Sequence, residues 1–288
     1  MIGILDFLLE PLKYPFMVRG LISAAMVGIV CATVGTYIVL RGMAFLGDAL
    51  AHAILPGVAI GYLVSEGVRE PLFWWALASA IVTSIGIGTL SKGTHIKEDT
   101  ATGIIFASMF ALGIAIISTV RNYAVDLTHF LFGDVLGVSS SDVLRIALFG
   151  GGVILLIIAF YKEFLVISFD PTLASTLRMP TKVFDYLLLI IIAVTTVISL
   201  QTVGVALMVA MLVTPAATAY LLVKRLQVMM ALSAFFGALA CVVGLYLSYY
   251  LNIASGAAIV LTSTLFFLLV WIWRTVPRKI TPQVTQSM

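Results

Sequence analysis

The chain has 288 residues, of which 62% are hydrophobic and 10% charged, with a formal net charge of +3 and a mean hydropathy of +1.17. A soluble domain is excluded, because apolar runs near twenty residues recur from end to end, the length that a bilayer-spanning helix needs. The runs are continuous instead of alternating, which speaks against a transmembrane β-barrel. The basic residues are scattered through short loops and not interleaved with aromatics, so no nucleic-acid partner is expected. The expected fold class is all-α, a polytopic bundle of transmembrane helices.

The first stretch, residues 1–16, carries Asp6 and Glu10 and shows neither a basic leader nor a cleavage site. It is expected to be an amphipathic interfacial helix and not a signal peptide. The membrane domain then covers 17–273, with apolar segments at 17–40, 44–64, 71–91, 100–118, 142–161, 183–199, 202–223, 227–249 and 256–273. These make nine candidate spans, or eight if one is re-entrant. Arg41, Lys92, Lys97, Lys162, Arg178, Lys182, Lys224, Arg225, Arg274, Arg278 and Lys279 then fall on one side, expected to be cytoplasmic. That places the N-terminus outside and the tail, 274–288, inside, although Lys13 and Arg19 run against the trend. Cys31 and Cys241 lie in apolar runs without CxxC spacing, as ordinary buried thiols do.

Two connections are long. The outer one, 119–141, mixes aromatic, acidic and histidine residues, which suits a short helix at a pore mouth. In the inner one, 162–182, Asp170 and Pro171 predict the start of a short helix through Leu177, with Pro180 ending it. A stub helix of this kind suits docking of a cytoplasmic partner, and a simple connector is the plainer alternative.

The second span holds the most unusual feature, FLGDALAHAILPGVAIG over 45–61. Asp48 and His52 are four residues apart and share one helical face. An ionisable residue at membrane depth costs about 2.5–3.5 kcal/mol on insertion scales, so the pair needs a reason. The span's direction puts His52 near mid-depth and Asp48 about 6 Å nearer the inner side. A carboxylate oxygen and an imidazole nitrogen suit Mn²⁺, Fe²⁺ or Zn²⁺, and two ligands do not complete a site. A hydrogen-bonded tie between helices and a proton relay fit the same pair. Gly47, Ala49, Ala51, Ala53, Gly57 and Gly61 leave the helix small-faced and open to close neighbours. Pro56-Gly57 is placed to loosen it.

Other polar groups have plainer explanations. Glu98 and Asp99 sit where they would cap the fourth span and stabilise its dipole; with His95 they are also candidates for a cation exit or a partner contact. Asp126, His129 and Asp134 cluster in the outer loop, as a solvated face or as a funnel for divalent cations. Met208, Met211 and Thr214 decorate a span interrupted by Pro215, as packing or as a path lining. There is no GxxxxGK[ST] motif for ATP, no HExxH helix and no GxSxG turn, so the chain is not expected to be an enzyme.

Taken in order, RGMAFLGDALAHAILPGVAIGYL, HIKEDTATGIIFASMFALG, DLTHFLFGDVLGVSSSD, ISFDPTLASTLRMP and QTVGVALMVAMLVTPAATAYLL resemble the permease subunits of ATP-binding-cassette importers for manganese, zinc or iron. The resemblance spans roughly 17–273. It implies a homodimer in a bacterial-type plasma or inner membrane, with ATP bound and hydrolysed on cytoplasmic partner subunits. It also implies an extracellular or periplasmic metal-binding protein that delivers the ion, and no permanently bound cofactor. Asp48 and His52 match the family's GD-x-x-x-H metal element. Phe169, Asp170, Pro171, Leu177, Arg178 and Pro180 fall in its coupling loop. DLTH and GDVLGV resemble the manganese and iron branch, with Mn²⁺ the first expectation. Ala51 and Asp134 depart from the family's commoner serine and asparagine. A proton-coupled secondary carrier and a non-transporting metal-sensing scaffold are the rival functions.

Overall fold

The computed structural model describes residues 9–65, 70–94, 96–119 and 135–275. Among these every regular element is helical, and nine helical stretches are long and apolar enough to cross a membrane. In chain order they are α1 (Pro15–Arg41), the pair α2 (Leu46–Ala53) and α3 (Leu55–Val64), α4 (Glu70–Thr94), α5 (Glu98–Ile117) and α6 (Ser140–Ala159). Two shorter helices follow, α7 (Tyr161–Phe169) and α8 (Pro171–Thr176), and then α9 (Thr181–Val203), α10 (Val205–Leu222), α11 (Leu226–Leu251) and α12 (Ser255–Thr275). The predicted N-terminal helix lies in part outside the described residues; its described end holds a 3₁₀ turn, Pro11–Lys13, that leads directly into α1. Residues 276–288 of the predicted tail also lie outside.

Local chemistry fixes the helix ends. Pro15 occupies the first turn of α1, where its missing N–H costs nothing. At the other end Gly42 takes φ 69°; its N–H donates to the Val39 carbonyl and that of Met43 to the Ile38 carbonyl, the paired bonds of a Schellman stop. α6 opens on a capping box, in which Ser139 and Asp142 satisfy each other's backbone N–H groups. Gly204, at φ 79° and ψ 171°, is the sole residue between α9 and α10, and that backbone region is open essentially to glycine alone.

α1 is the axis of the bundle, packed against α9, α10 and α11, with α12 on the far side of α10 and α11. Close approach requires small residues here: a Cβ on Gly28 would lie 2.9 Å from the Gly237 carbonyl oxygen, and one on Gly237 2.6 Å from that of Gly28. Ser233 Oγ adds an interhelical bond to the Ala32 carbonyl at 2.7 Å. Cys31 and Cys241 are free and buried in the same core. On the other side α4 packs on α9 and α3, and α5 lies against α2, α3 and α4.

The inner connection differs from expectation in two ways. Its first part is the additional helix α7, anchored by buried Phe164 and Ile167, a segment too short for its periodicity to stand out in the sequence. α8 is terminated by Arg178 and not by Pro180. Arg178 adopts φ 54°, so the Met179 N–H reaches the Ala174 carbonyl at 3.1 Å, and Pro180 instead forms the N-cap of α9.

Candidate metal site in the second span

The second span is divided as Pro56-Gly57 predicts: α2 ends at Ala53, Ile54 turns, and α3 begins at Leu55 with proline in its first turn. The Ala53 carbonyl accepts from Ser79 Oγ of α4 at 3.1 Å, so a carbonyl at the break is satisfied by a neighbouring helix. Gly57 lies directly against the Trp75 backbone. By contrast, Pro215 sits inside the unbroken α10.

Asp48 falls in the first turn of α2 and His52 in its last. The helix N-terminus favours the carboxylate. Because α2 begins at Leu46, both residues lie in the first half of the span Leu46–Val64, short of the mid-depth expected for His52. His52 Nε2 is 3.7 Å from Asp48 Oδ1, with side chains 31% and 41% exposed. Two coordination bonds of about 2.1 Å would meet across that gap at an angle of about 120°, so the separation is compatible with a single ion between the two atoms. Among the described residues no group of three or more His, Cys, Asp or Glu side chains converges. Among the described residues, Asp48 and His52 are therefore the two candidate ligands at this point, and both are partly exposed.

An aromatic shelf from α5 backs the pair. The His52 ring lies 5.8 Å from Phe110, nearly perpendicular to it, and 6.3 Å from Phe106. Phe106 and Phe110 stack on each other at 5.8 Å, and Phe106 also meets Phe45, three residues before Asp48, edge to face at 5.8 Å. Two aromatic walls thus flank the imidazole. Phe106 and Phe110 do not stand out in the sequence, where they read as ordinary apolar residues; their i, i+4 spacing is the only hint.

The other candidates divide. Asp126, His129, Asp134 and His95 lie outside the described residues. Met208 and Met211 are fully buried, with Met211 Sδ 3.9 Å from Cys241 Sγ, so both pack as core side chains. Thr214 is half-buried and its carbonyl accepts from Thr218. Glu98 and Asp99 occupy the first turn of α5, as the dipole explanation requires, but no side-chain cap forms there. Glu98 instead lines a cleft of about 400 Å³ with Arg41, Ser168, Thr181 and Asp185.

In the predicted docking element, Asp170 Oδ1 accepts from the Leu173 N–H at 2.9 Å, as the sequence predicts for the start of α8. Phe169 at the end of α7, Leu173 in α8 and Leu177 just beyond it stand 57%, 47% and 58% exposed, three apolar side chains left uncovered around the α7–α8 bend. Just above it, Arg41, Lys92 and Asp185 converge: Asp185 takes Arg41 Nη1 at 2.9 Å and Lys92 Nζ at 2.8 Å. Only Arg41 and Lys92 were prominent in the sequence, as topology markers, because the contact joins residues 93 and 144 positions apart.

Residues 13–274 match the family model described as the ABC 3 transport family. The manganese transport system membrane protein MntC of Halalkalibacterium halodurans is 45% identical over 261 residues, covering 90% of this chain and 87% of that protein. The chelated iron transport system membrane protein YfeD of Yersinia pestis is 36% identical over 264 residues, covering 92% and 87%. Among solved structures, PsaBC from Streptococcus pneumoniae in complex with Fab superposes with a TM-score of 0.79 at 41% identity, over 93% of this chain and 95% of that one. The chain belongs to the ABC 3 transport family, as a multi-pass membrane permease of metal transport.

Proposed function

We propose that this permease carries Mn²⁺ into the cytoplasm as one half of a homodimer, driven by ATP hydrolysis on a cytoplasmic partner subunit and supplied by an extracellular metal-binding protein. The observation that carries the proposal is the Asp48–His52 pair, 3.7 Å apart and partly exposed on an otherwise small-faced helix. One oxygen and one nitrogen ligand suit a first-row divalent ion. Two ligands from each of two copies would make a shared site that is open enough to release its cargo; a closed cage within one chain would retain the ion. Membrane depth adds support for a second copy, since a carboxylate left against lipid is costly, and only 17% of the apolar window of the adjoining α5 is buried inside this chain.

The end of the bundle that holds Arg41 and Lys92 is the cytoplasmic one, by the positive-inside rule, with the N-terminus outside and the C-terminus inside. The exposed side chains of Phe169, Leu173 and Leu177 then lie at the cytoplasmic end, where an apolar groove on the ATP-hydrolysing partner would cover them. Asp126, His129 and Asp134 fall on the opposite side in this orientation and fit an entry for cations. Mn²⁺ is preferred to Fe²⁺ and Zn²⁺ on the strength of the relatives that carry manganese in their names. Competition among the three ions for uptake into vesicles containing the assembled importer tests that choice: Mn²⁺ should displace the others at the lowest concentration. ATP-dependent uptake that survives collapse of the proton gradient separates this mechanism from a proton-coupled carrier.

A further inference from the structure

A signal from a cytoplasmic partner has to reach Asp48 and His52, and the chain contains a rigid route for it. α7 is joined to α1 by two rungs one helical turn apart. Tyr37 meets Phe164 edge to face at 5.7 Å, and Arg41 Nε donates to Ser168 Oγ at 3.3 Å. Phe164 also packs on Phe184 at 6.2 Å, beside Asp185, whose carboxylate holds Arg41 and Lys92 together. One guanidinium thus binds α7 through Nε and α9 through Nη1, while Lys92 brings in α4. The planar fork of arginine suits such a junction, and a lysine ammonium could not reproduce both directions at once.

At either end of the junction there is little slack. Ser168 lies two residues before Asp170, which caps α8. Arg41 ends α1, and the four residues 42–45 before α2 are held by backbone bonds from Gly42, Met43, Leu46 and Ala49 to the carbonyls of Val39, Ile38, Met43 and Phe45. Displacement of α7 therefore moves Arg41, and displacement of Arg41 moves the start of the helix that carries Asp48. The junction is also unevenly charged, with two cations on one carboxylate. Arg41 Nη2 is buried without a partner among the described residues, in the wall of the cleft that Glu98 shares. An unsatisfied buried donor of this kind is costly, so the guanidinium is held where it is by its bonds to Ser168 and Asp185.

We infer that Arg41 is a positioning residue that links the partner-facing segment, α7 and α8, to the metal-bearing helix α2, with Ser168 and Asp185 as its two attachment points. The inference rests on the proposed transport function. The test uses the complete importer, this chain assembled with its ATP-hydrolysing partner in vesicles, and measures Mn²⁺ imported per ATP hydrolysed for Ser168→Ala, Arg41→Lys and Asp185→Asn. Ser168→Ala removes one hydroxyl and leaves the ion pair, so it is the variant least able to disturb folding.

The expected result is a fall of several-fold in ions per ATP for Ser168→Ala and a larger fall for Arg41→Lys, with hydrolysis and thermal stability near those of the unaltered protein. An unchanged ratio in both variants overturns the inference. So does a proportionate loss of uptake and hydrolysis with early melting, which would make the junction a brace for the fold alone. Asp48→Ala measured in parallel separates the two levels. If it imports normally, the proposed function fails; if it is inactive while Ser168→Ala keeps its ratio, only the link through Arg41 fails.

Discussion

α1 and α5 are both long and apolar enough to cross a bilayer, yet 72% of the apolar window of α1 is buried inside the bundle and 17% of that of α5. The difference lies in where small residues fall. α1 presents Gly28, Ala32 and Gly35 to α10 and α11, so backbones approach closely and dispersion contacts accumulate. α5 carries Ile104, Leu112 and Ile114 outward, each about half exposed, and touches its own chain through Phe106 and Phe110 around His52. Apolarity decides that a helix enters the membrane, and the distribution of small side chains decides how deep it sits in the bundle. α2 lies at the boundary, packed against α9 and α10 on one side and α5 on the other, so the candidate ligands sit where the rigid part of the molecule meets its uncovered flank.

Substitutions on the two helices should therefore differ in kind. The largest effect is expected for Gly28→Leu, which forces side-chain atoms into the α11 backbone. Overpacking of this kind costs about 1–3 kcal/mol or more, and thermal unfolding of the purified protein should shift accordingly or folded protein be lost. If Gly28→Leu unfolds at the normal temperature, the tight α1–α11 contact is wrong. Next comes Phe110→Ala, which removes one of the two rings against His52 and should raise the Mn²⁺ concentration needed for half-maximal uptake several-fold while leaving unfolding nearly unchanged. Equal loss of stability and uptake would make the shelf a packing feature only. Ser233→Ala deletes one interhelical bond, worth about 0.6 kcal/mol by analogy with measured membrane-protein cases, and a shift larger than that of Gly28→Leu would invert the ranking. Leu112→Ala on the outer face of α5 should have the smallest effect on unfolding of a single copy. Its effect should appear in the dimer's dissociation, if a second copy covers that face.

Much of this arrangement was legible in the sequence. The nine spans follow from apolar runs, the division of the second span from Pro56-Gly57, the start of α8 from Asp170-Pro171, and the shared face of Asp48 and His52 from their spacing. Other parts were not, for reasons that are physical. α7 fully buries only Phe164 and Ile167, too few positions for a period to emerge. Arg178 in a left-handed turn replaces the expected stop at Pro180 because the Met179 N–H finds the Ala174 carbonyl, a three-dimensional circumstance. Asp185 reads as an isolated acid until the fold brings Arg41 and Lys92 to it. The contrast between α1 and α5 is hidden because lipid and protein interior select the same apolar residues.

Uptake of radiolabelled Mn²⁺ into vesicles containing the assembled importer, compared for the unaltered permease, Asp48→Ala and His52→Ala with ATP supplied, bears most directly on the role of the pair. Both variants should assemble with the partner subunit and import no more ion than empty vesicles. Import at the unaltered rate by either variant would contradict the assignment of Asp48 and His52 as ligands of the transported ion.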